Sequence, residues 1–282
     1  MGNLSHQNKK NKVIFAMGAT GTGKSKLSID LAINFNGEVI NSDKIQVFKG
    51  LDIITNKVTK EESAGVPHHL LGIVDDPDED FTADDFCRHV LKSIDIILKN
   101  GHIPIIAGGS NSYLEKLVED PNIKFREIFD CCFIWVDVSL HVLYQRVGTR
   151  VDEMVKYGLV DEVREMFVPG ADYTRGIRRA IGAQEMEKFL LIENNIYVDS
   201  MTKSKVLAIA LEDMKINTRK LIISQLRKIY RLRTELGWEM HRIDATSVYQ
   251  KRGEDAEVTW NDVVLMKSVE IVSKFLIEGI GI

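Results

Sequence analysis

No stretch of this sequence stays apolar for the roughly 18 residues that a membrane-spanning helix needs. The greasiest runs, Ile103 to Ala107 and Cys131 to Val138, are strand-sized, so a soluble chain with no membrane partner is expected. Cysteine is scarce. Cys87, Cys131 and Cys132 form an odd set whose adjacent pair lies inside an apolar run. They read as small buried hydrophobes rather than a disulfide framework or a metal site, and a reducing compartment is expected. An excess of positive charge is also missing: 37 Lys and Arg face 41 Asp and Glu, for a net charge of -4 and a pI near 6.0. General attraction to a polyanion therefore has no source, although a local basic groove is not excluded. The first dozen residues are polar and basic without an apolar stretch, so 1–12 read as a flexible tail rather than a signal peptide. The myristoylation pattern fails because His6 stands where Ser or Thr is required. There is no internal repeat or low-complexity tract.

What is present suffices for a sizeable core: 282 residues, 44% hydrophobic and 28% charged. Val13 to Met17 reads as a strand, GATGTGKS as a loop, and the following segment as a helix through Leu27, Leu31 and Ala32. After Asn36 and Gly37, Glu38 to Ile40 reads as a second strand delivering Asn41, Ser42 and Asp43 at its C-terminal end. Glu61 to Asp80 is loop-like and acidic, and Thr82 with Asp85 marks the start of a helix whose inner face is Phe86, Val90, Ile94 and Ile97. Gly101 ends it. Ile103 to Ala107 is the next strand, Gly108 to Ser110 a turn into a helix carrying Leu114 and Leu117, and Phe133 to Val138 a further strand. From His141 the pattern is mainly helical. The expected fold is α/β: a P-loop NTPase-like parallel sheet flanked by helices over 13–140, with a mainly helical part over 141–282 that completes the active site.

Gly18 to Ser25 matches the P-loop pattern in the required strand-loop-helix setting. Gly18, Gly21 and Gly23 let backbone N–H groups converge on one centre at a helix N-terminus. Lys24 adds a mobile charge for phosphate oxygens, and the Ser25 hydroxyl suits Mg2+. Thr20, Thr22 and Ser110 are hydroxyls for phosphate oxygens or turn residues. Asp43, one strand over, has three readings: holding magnesium through water, taking a proton from a nucleophile, or capping a turn. Arg146 and Arg150 lie one helical turn apart and share a face. His68 and His69 have no metal-ligand partners in the sequence and read as loop or wall residues.

NSDKIQVFKGLDIITNKV, from Asn41 to Val58, resembles the second block of the P-loop isopentenyltransferases, the family of tRNA dimethylallyltransferases and adenylate isopentenyltransferases. VPHHLLGIVDDPDEDFTADDF and PIIAGGSNSYLEKL resemble the next blocks, and YQRVGTRVDEMVKYGLVDEV, GIRRAIGAQE and TRKLIISQLRKI resemble later ones. The resemblance implies that the P-loop holds the diphosphate of dimethylallyl diphosphate, a leaving group, so that no phosphoryl transfer occurs. It implies that an adenine amine attacks the allylic carbon while Asp43 orients that amine and takes its proton. Lys24, magnesium and loop N–H groups stabilise the departing diphosphate, and Arg150 and Ser110 join them. Thr55, Lys57, Arg146, Arg178, Arg179 and Lys220 are implied for the nucleotide.

Two departures separate the chain from the tRNA-modifying branch. Only Glu119 to Asp130 stands where that branch has a substantial helical insert, and Ile223 and Ser224 stand where it has Lys-Arg before Gln225. No zinc-finger Cys/His pair follows. The implied acceptor is therefore free ATP or ADP, with AMP less favoured, and not tRNA. A plastid setting is implied by plant relatives, with a cytosolic one as the alternative, since no transit segment is visible. The other reaction classes left open are a tRNA dimethylallyltransferase, a P-loop small-molecule kinase and a non-catalytic nucleotide sensor. Oligomeric state is not indicated.

Overall fold

The computed structural model describes residues 10–278. Six strands form one parallel sheet in the order β3-β2-β4-β1-β5-β6. They are β1 (Asn11–Met17), β2 (Gly37–Asn41), β3 (His68–His69), β4 (Ile103–Ala107), β5 (Phe129–Asp137) and β6 (Met240–Asp244). The central strand is covered on both faces, as parallel strands must be. Val13, Phe15 and Met17 point into one core, Ile14 and Ala16 into the other, and all five are fully buried. In register, Phe15 stands opposite Ile106 of β4 and Phe133 of β5.

Helices fill both faces. On one side lie α2 (Ala83–Lys99), α3 (Asn111–Glu119), α6 (Leu159–Glu165) and α7 (Ala183–Glu193). On the other are α1 (Lys24–Phe35), α5 (Leu140–Lys156) and the C-terminal α9 (Gly253–Trp260) and α10 (Met266–Ile277). The α2 start is a capping box: Thr82 Oγ1 accepts the Asp85 N–H at 3.1 Å and the Asp85 carboxylate accepts the Thr82 N–H at 2.9 Å. Phe86, Val90, Ile94 and Ile97 are buried on its inner face, as the spacing predicts. The longest helix, α8 (Ser200–Thr234), spans 35 residues, roughly 50 Å at 1.5 Å per residue. Its buried residues fall in both cores, Met214 and Leu232 in one and Ile222, Leu226 and Ile229 in the other.

The structure departs from the sequence reading in four places. β1 begins at Asn11, so the expected tail is too long by two residues, and residues 1–9 lie outside the described ones. Within the expected loop Glu61 to Asp80, His68 and His69 pair with Val39 and Ile40 as a sheet edge. The segment Glu119 to Asp130 holds α4 (Phe125–Ile128), a single turn. From His141 the chain is mainly helical, but β6 returns to the sheet beside β5. No helix of the described residues is long and apolar enough to cross a membrane.

Candidate active site

Strands β2, β4 and β1 are neighbours, and their carboxyl ends release three loops side by side: Ser42–Asp43, the Gly108–Ser110 turn and the P-loop. This is the edge where ligands collect in open parallel sheets. Backbone hydrogen bonds bind two of them together, Ser42 N–H to Ala107 O at 2.8 Å and Ser110 N–H to Ser42 O at 3.0 Å.

The P-loop is packed from behind. Gly23 has φ +95°, and a Cβ there would lie 2.5 Å from the Tyr249 hydroxyl and 2.7 Å from the Trp260 ring. Glycine is required on both counts. Thr22 is fully buried and its hydroxyl donates to Ala19 O at 2.9 Å. That makes it the turn-holding residue of the two readings and removes its side chain from the ligand face. Lys24 Nζ also donates to Ala19 O, at 2.8 Å. Burial lowers its pKa to about 8, Asp43 opposing the fall and Arg150 adding to it. Ser25 is exposed at the first turn of α1.

Arg146 and Arg150 share the α5 face that meets this loop. Arg150 donates to Thr20 Oγ1 at 3.1 Å, while its Nε is buried with no acceptor. Burial and then Arg146 lower its pKa to about 10. Arg146 Nε donates to Gly21 O at 2.8 Å and its guanidinium lies 4.0 Å from the Tyr249 ring centre. Arg146 thus packs against the P-loop, the part of the site that the resemblance gives to the diphosphate.

Of its three readings, Asp43 shows the turn cap directly. Its Oδ1 accepts the Ile45 N–H at 2.9 Å, which caps the turn, while the carboxylate is close enough to Lys24 to favour its charged form. Its second oxygen has no hydrogen-bond partner among the described residues. Ser110 Oγ accepts the Lys44 N–H at 2.9 Å, so its own proton is available to donate.

Of the residues implied for the nucleotide, several are already engaged. Lys57 has a side chain only 6% exposed, bonded to Gly50 O at 2.6 Å and to Asp52 at 2.5 Å. The Thr55 hydroxyl donates to Leu51 O at 2.6 Å. Arg178 is bonded to Asp78 at 2.5 Å and to Met166 O at 3.0 Å. Lys57 and Arg178 are therefore each already paired with a carboxylate. Lys220 is exposed and meets Asn217 Oδ1 at 3.1 Å. Arg179 differs: Nε donates to Gly176 O at 3.1 Å and one terminal nitrogen is buried without an acceptor. It faces Lys44, whose pKa is lowered by burial, then by Arg179 and Lys228, with Asp43 opposing.

Sequence reasoning missed Lys44, Lys228 and Gln225. None of Lys44, Arg179 and Lys228 forms a salt bridge among the described residues, so three cations gather where Asp43 is the one carboxylate acting on Lys44. The adjacency of Lys44 to Asp43 was the one available signal. Gln225 is 7% exposed on α8, and its Oε1 accepts the Thr20 N–H at 2.8 Å. His68 and His69 are wall residues; His69 Nε2 lies 2.6 Å from the buried Glu38 carboxylate, and His68 Nδ1 2.8 Å from Val66 O. No group of three His, Cys, Asp or Glu is placed to hold a metal ion among the described residues.

Comparison with known proteins bears on this edge of the sheet. The family model described as IPP transferase matches residues 46–128 and 121–229. Adenylate isopentenyltransferase 5, chloroplastic, of Arabidopsis thaliana is 55% identical over 269 residues, 95% of this chain and 81% of that protein. Adenylate isopentenyltransferase 3, chloroplastic, of the same plant is 50% identical over 278 residues, 98% and 82% of the two chains. Among solved structures, a eukaryotic dimethylallyltransferase acting on tRNA superposes with a TM-score of 0.76 at 25% identity, over 94% of this chain and 79% of that one.

Proposed function

This chain belongs to the IPP transferase family, and from that premise we propose that it moves the dimethylallyl group of dimethylallyl diphosphate onto the exocyclic amine of a free adenine nucleotide, in cytokinin biosynthesis. It is a prenyltransferase. One observation carries the reading: a carboxylate, Asp43, stands within electrostatic reach of the phosphate-loop lysine, Lys24, at the mouth of the loop. A phosphate cradle facing a base suits a reaction that expels diphosphate while a nucleophile loses a proton.

The adenine amine donates its lone pair to the allylic carbon, forming a C–N bond, and the C–O bond to diphosphate breaks with its electron pair. The amine proton passes to the free oxygen of Asp43. Lys24, the loop N–H groups and the unsatisfied Arg150 Nε meet the charge that grows on diphosphate. The amine is a weak base because its lone pair is conjugated with the ring, so alignment contributes as much as basicity. The Ser25 hydroxyl and the diphosphate oxygens are hard donors that fit Mg2+, with Ser25 the residue to hold it, and the ion would neutralise diphosphate charge when bound. Lys44, Arg179 and Lys228 form the site for the outer phosphates, which favours ATP and ADP over AMP. The part from 141 onward completes the site by supplying Arg146, Arg150, Arg179 and Gln225.

A free nucleotide rather than tRNA fits the single-turn α4 and the relatives named as adenylate enzymes. Their chloroplastic names support a plastid setting. Incubation with labelled dimethylallyl diphosphate and AMP, ADP, ATP or tRNA, followed by product mass, tests the reading. A prenylated nucleotide is expected; a phosphorylated product, or none with any acceptor, overturns it.

A further inference from the structure

A primary amide inside a helix-packed core is unfavourable unless both its ends are satisfied. Gln225 is such an amide, in a stretch of α8 where Ile222, Leu226 and Ile229 are also buried. An apolar side chain of equal size would pack there without that requirement. Its two ends reach two different loops: Oε1 accepts the Thr20 N–H of the P-loop at 2.8 Å, and Nε2 donates to Gly109 O at 3.2 Å. The approach is close, since a Cβ on Gly109 would fall 2.3 Å from Gln225 Nε2. The main chain adds a third tie, Gln225 O accepting from Asn111 Nδ2 at 3.2 Å, with Asn111 only 1% exposed.

The next residue after Gly109 carries the connection onward. Ser110 N–H donates to Ser42 O at 3.0 Å and Ser110 Oγ accepts the Lys44 N–H at 2.9 Å. Both neighbours of Asp43 are thereby held by Ser110. A continuous run of hydrogen bonds and peptide links leads from the donor loop through Gln225, Gly109 and Ser110 to Asp43.

We propose that Gln225 is a positioning residue for the transfer step: its amide fixes how the P-loop and the Asp43 loop stand relative to one another, and so how the allylic carbon meets the amine. This rests on the P-loop as donor site and Asp43 as acceptor base. Gln225 touches neither substrate in this role. Its effect falls on the encounter between them, where a misplacement of about 1 Å costs about a hundredfold in rate.

Gln225→Met keeps the volume and removes both hydrogen bonds. Steady-state rates, the Kd of each substrate measured alone and the melting temperature separate the roles. The expected result is a kcat lower by about tenfold to a hundredfold, with each Kd within about threefold and an unchanged cooperative melt. Ser110→Ala removes the side-chain link of the same run to Lys44 and keeps the backbone link to Ser42, and the double variant should lose less than the product of the two single losses, because both changes loosen one connection. A wild-type kcat, a loss confined to the Kd of one substrate, or losses that multiply would overturn the proposal. If Gln225→Met does not fold, Gln225→Glu keeps the acceptor for Thr20 and loses only the donor to Gly109, and the same split between kcat and Kd decides. A wild-type protein inert toward every acceptor defeats the reading beneath this one; an active wild type with an indifferent Gln225→Met defeats this one alone.

Discussion

Burial and charge pull in opposite directions at Lys24. Desolvation brings its pKa down to about 8 from 10.5, more than Asp43 restores. In the free protein the ammonium therefore loses its proton as the pH rises through about 8. Bound diphosphate adds negative charge and raises that pKa again, so donor binding takes up a proton above it. The Kd for dimethylallyl diphosphate should be flat below about pH 8 and weaken above it, approaching about tenfold per pH unit. Titration calorimetry across that range checks this, and a Kd flat throughout shows that Lys24 keeps its proton over the range or does not meet the donor. Asp43 invites a different separation, because its carboxylate both caps a turn and faces Lys24. Asp43→Asn keeps an oxygen for the Ile45 N–H but no base. It should lower kcat by about a hundredfold or more while the nucleotide Kd stays within about tenfold, and Asp43→Ala should be no better. Turnover by the Asn variant near the wild-type rate would reduce Asp43 to its cap.

The turn Gly176–Arg179 and the acidic loop around Pro77 show what a sequence conceals between elements. Ile177 N–H donates to Pro77 O at 2.9 Å, and Arg178 is bonded to Asp78, far away in the chain. Spacing marks Arg178 and Arg179 alike as basic; only the fold gives the first a carboxylate and leaves the second pointing at Lys44. Arg178→Ala should therefore lower the melting temperature by about 2–4 °C and change AMP, ADP and ATP kinetics in equal proportion. Arg179→Ala should leave the melt unchanged and raise KM for ATP and ADP by about tenfold, the loss of one charge-assisted contact, with AMP less affected. Equal behaviour of the two variants would mean that Arg179 is structural too. The P-loop, α2 and the buried strands β1, β2 and β4 were legible because local pattern and tertiary role agree: a glycine motif, a capping box, unbroken apolar runs. β6 was not legible, since MHRID buries only Ile243 and exposes its charged residues as an edge strand does. Gln225 lay in a segment resembling the family but showed no role, because a polar residue in a helix reads as solvent-facing until the packing shows otherwise.

At the scale of the molecule, charge and shape bear on the acceptor together. A tRNA is held mainly by Lys and Arg neutralising phosphates, and each such contact makes affinity fall more steeply with salt. This chain has net charge -4, a single helical turn at Phe125–Ile128 and half-buried Ile223 with exposed Ser224 in the stretch of α8 just before Gln225. Its unpaired cations Lys44, Arg179 and Lys228 are gathered beside Asp43 rather than spread along a groove. On the proposed reading such a cluster serves the phosphates of one nucleotide rather than the backbone of a folded RNA. Free nucleotide should be prenylated at about 150 mM salt, where screening acts over roughly 8 Å, while tRNA should be left unmodified. Any tRNA association seen at low salt should disappear over that range as nucleotide turnover persists. The same cluster orders the nucleotides: kcat/KM for ATP and ADP should exceed that for AMP, and Lys228→Ala should narrow the gap by lowering the first two. Efficient tRNA modification at that salt would place the acceptor reading in the wrong branch of the family. An AMP preference in the wild type that Lys228→Ala leaves unchanged would show that the three cations serve another anion.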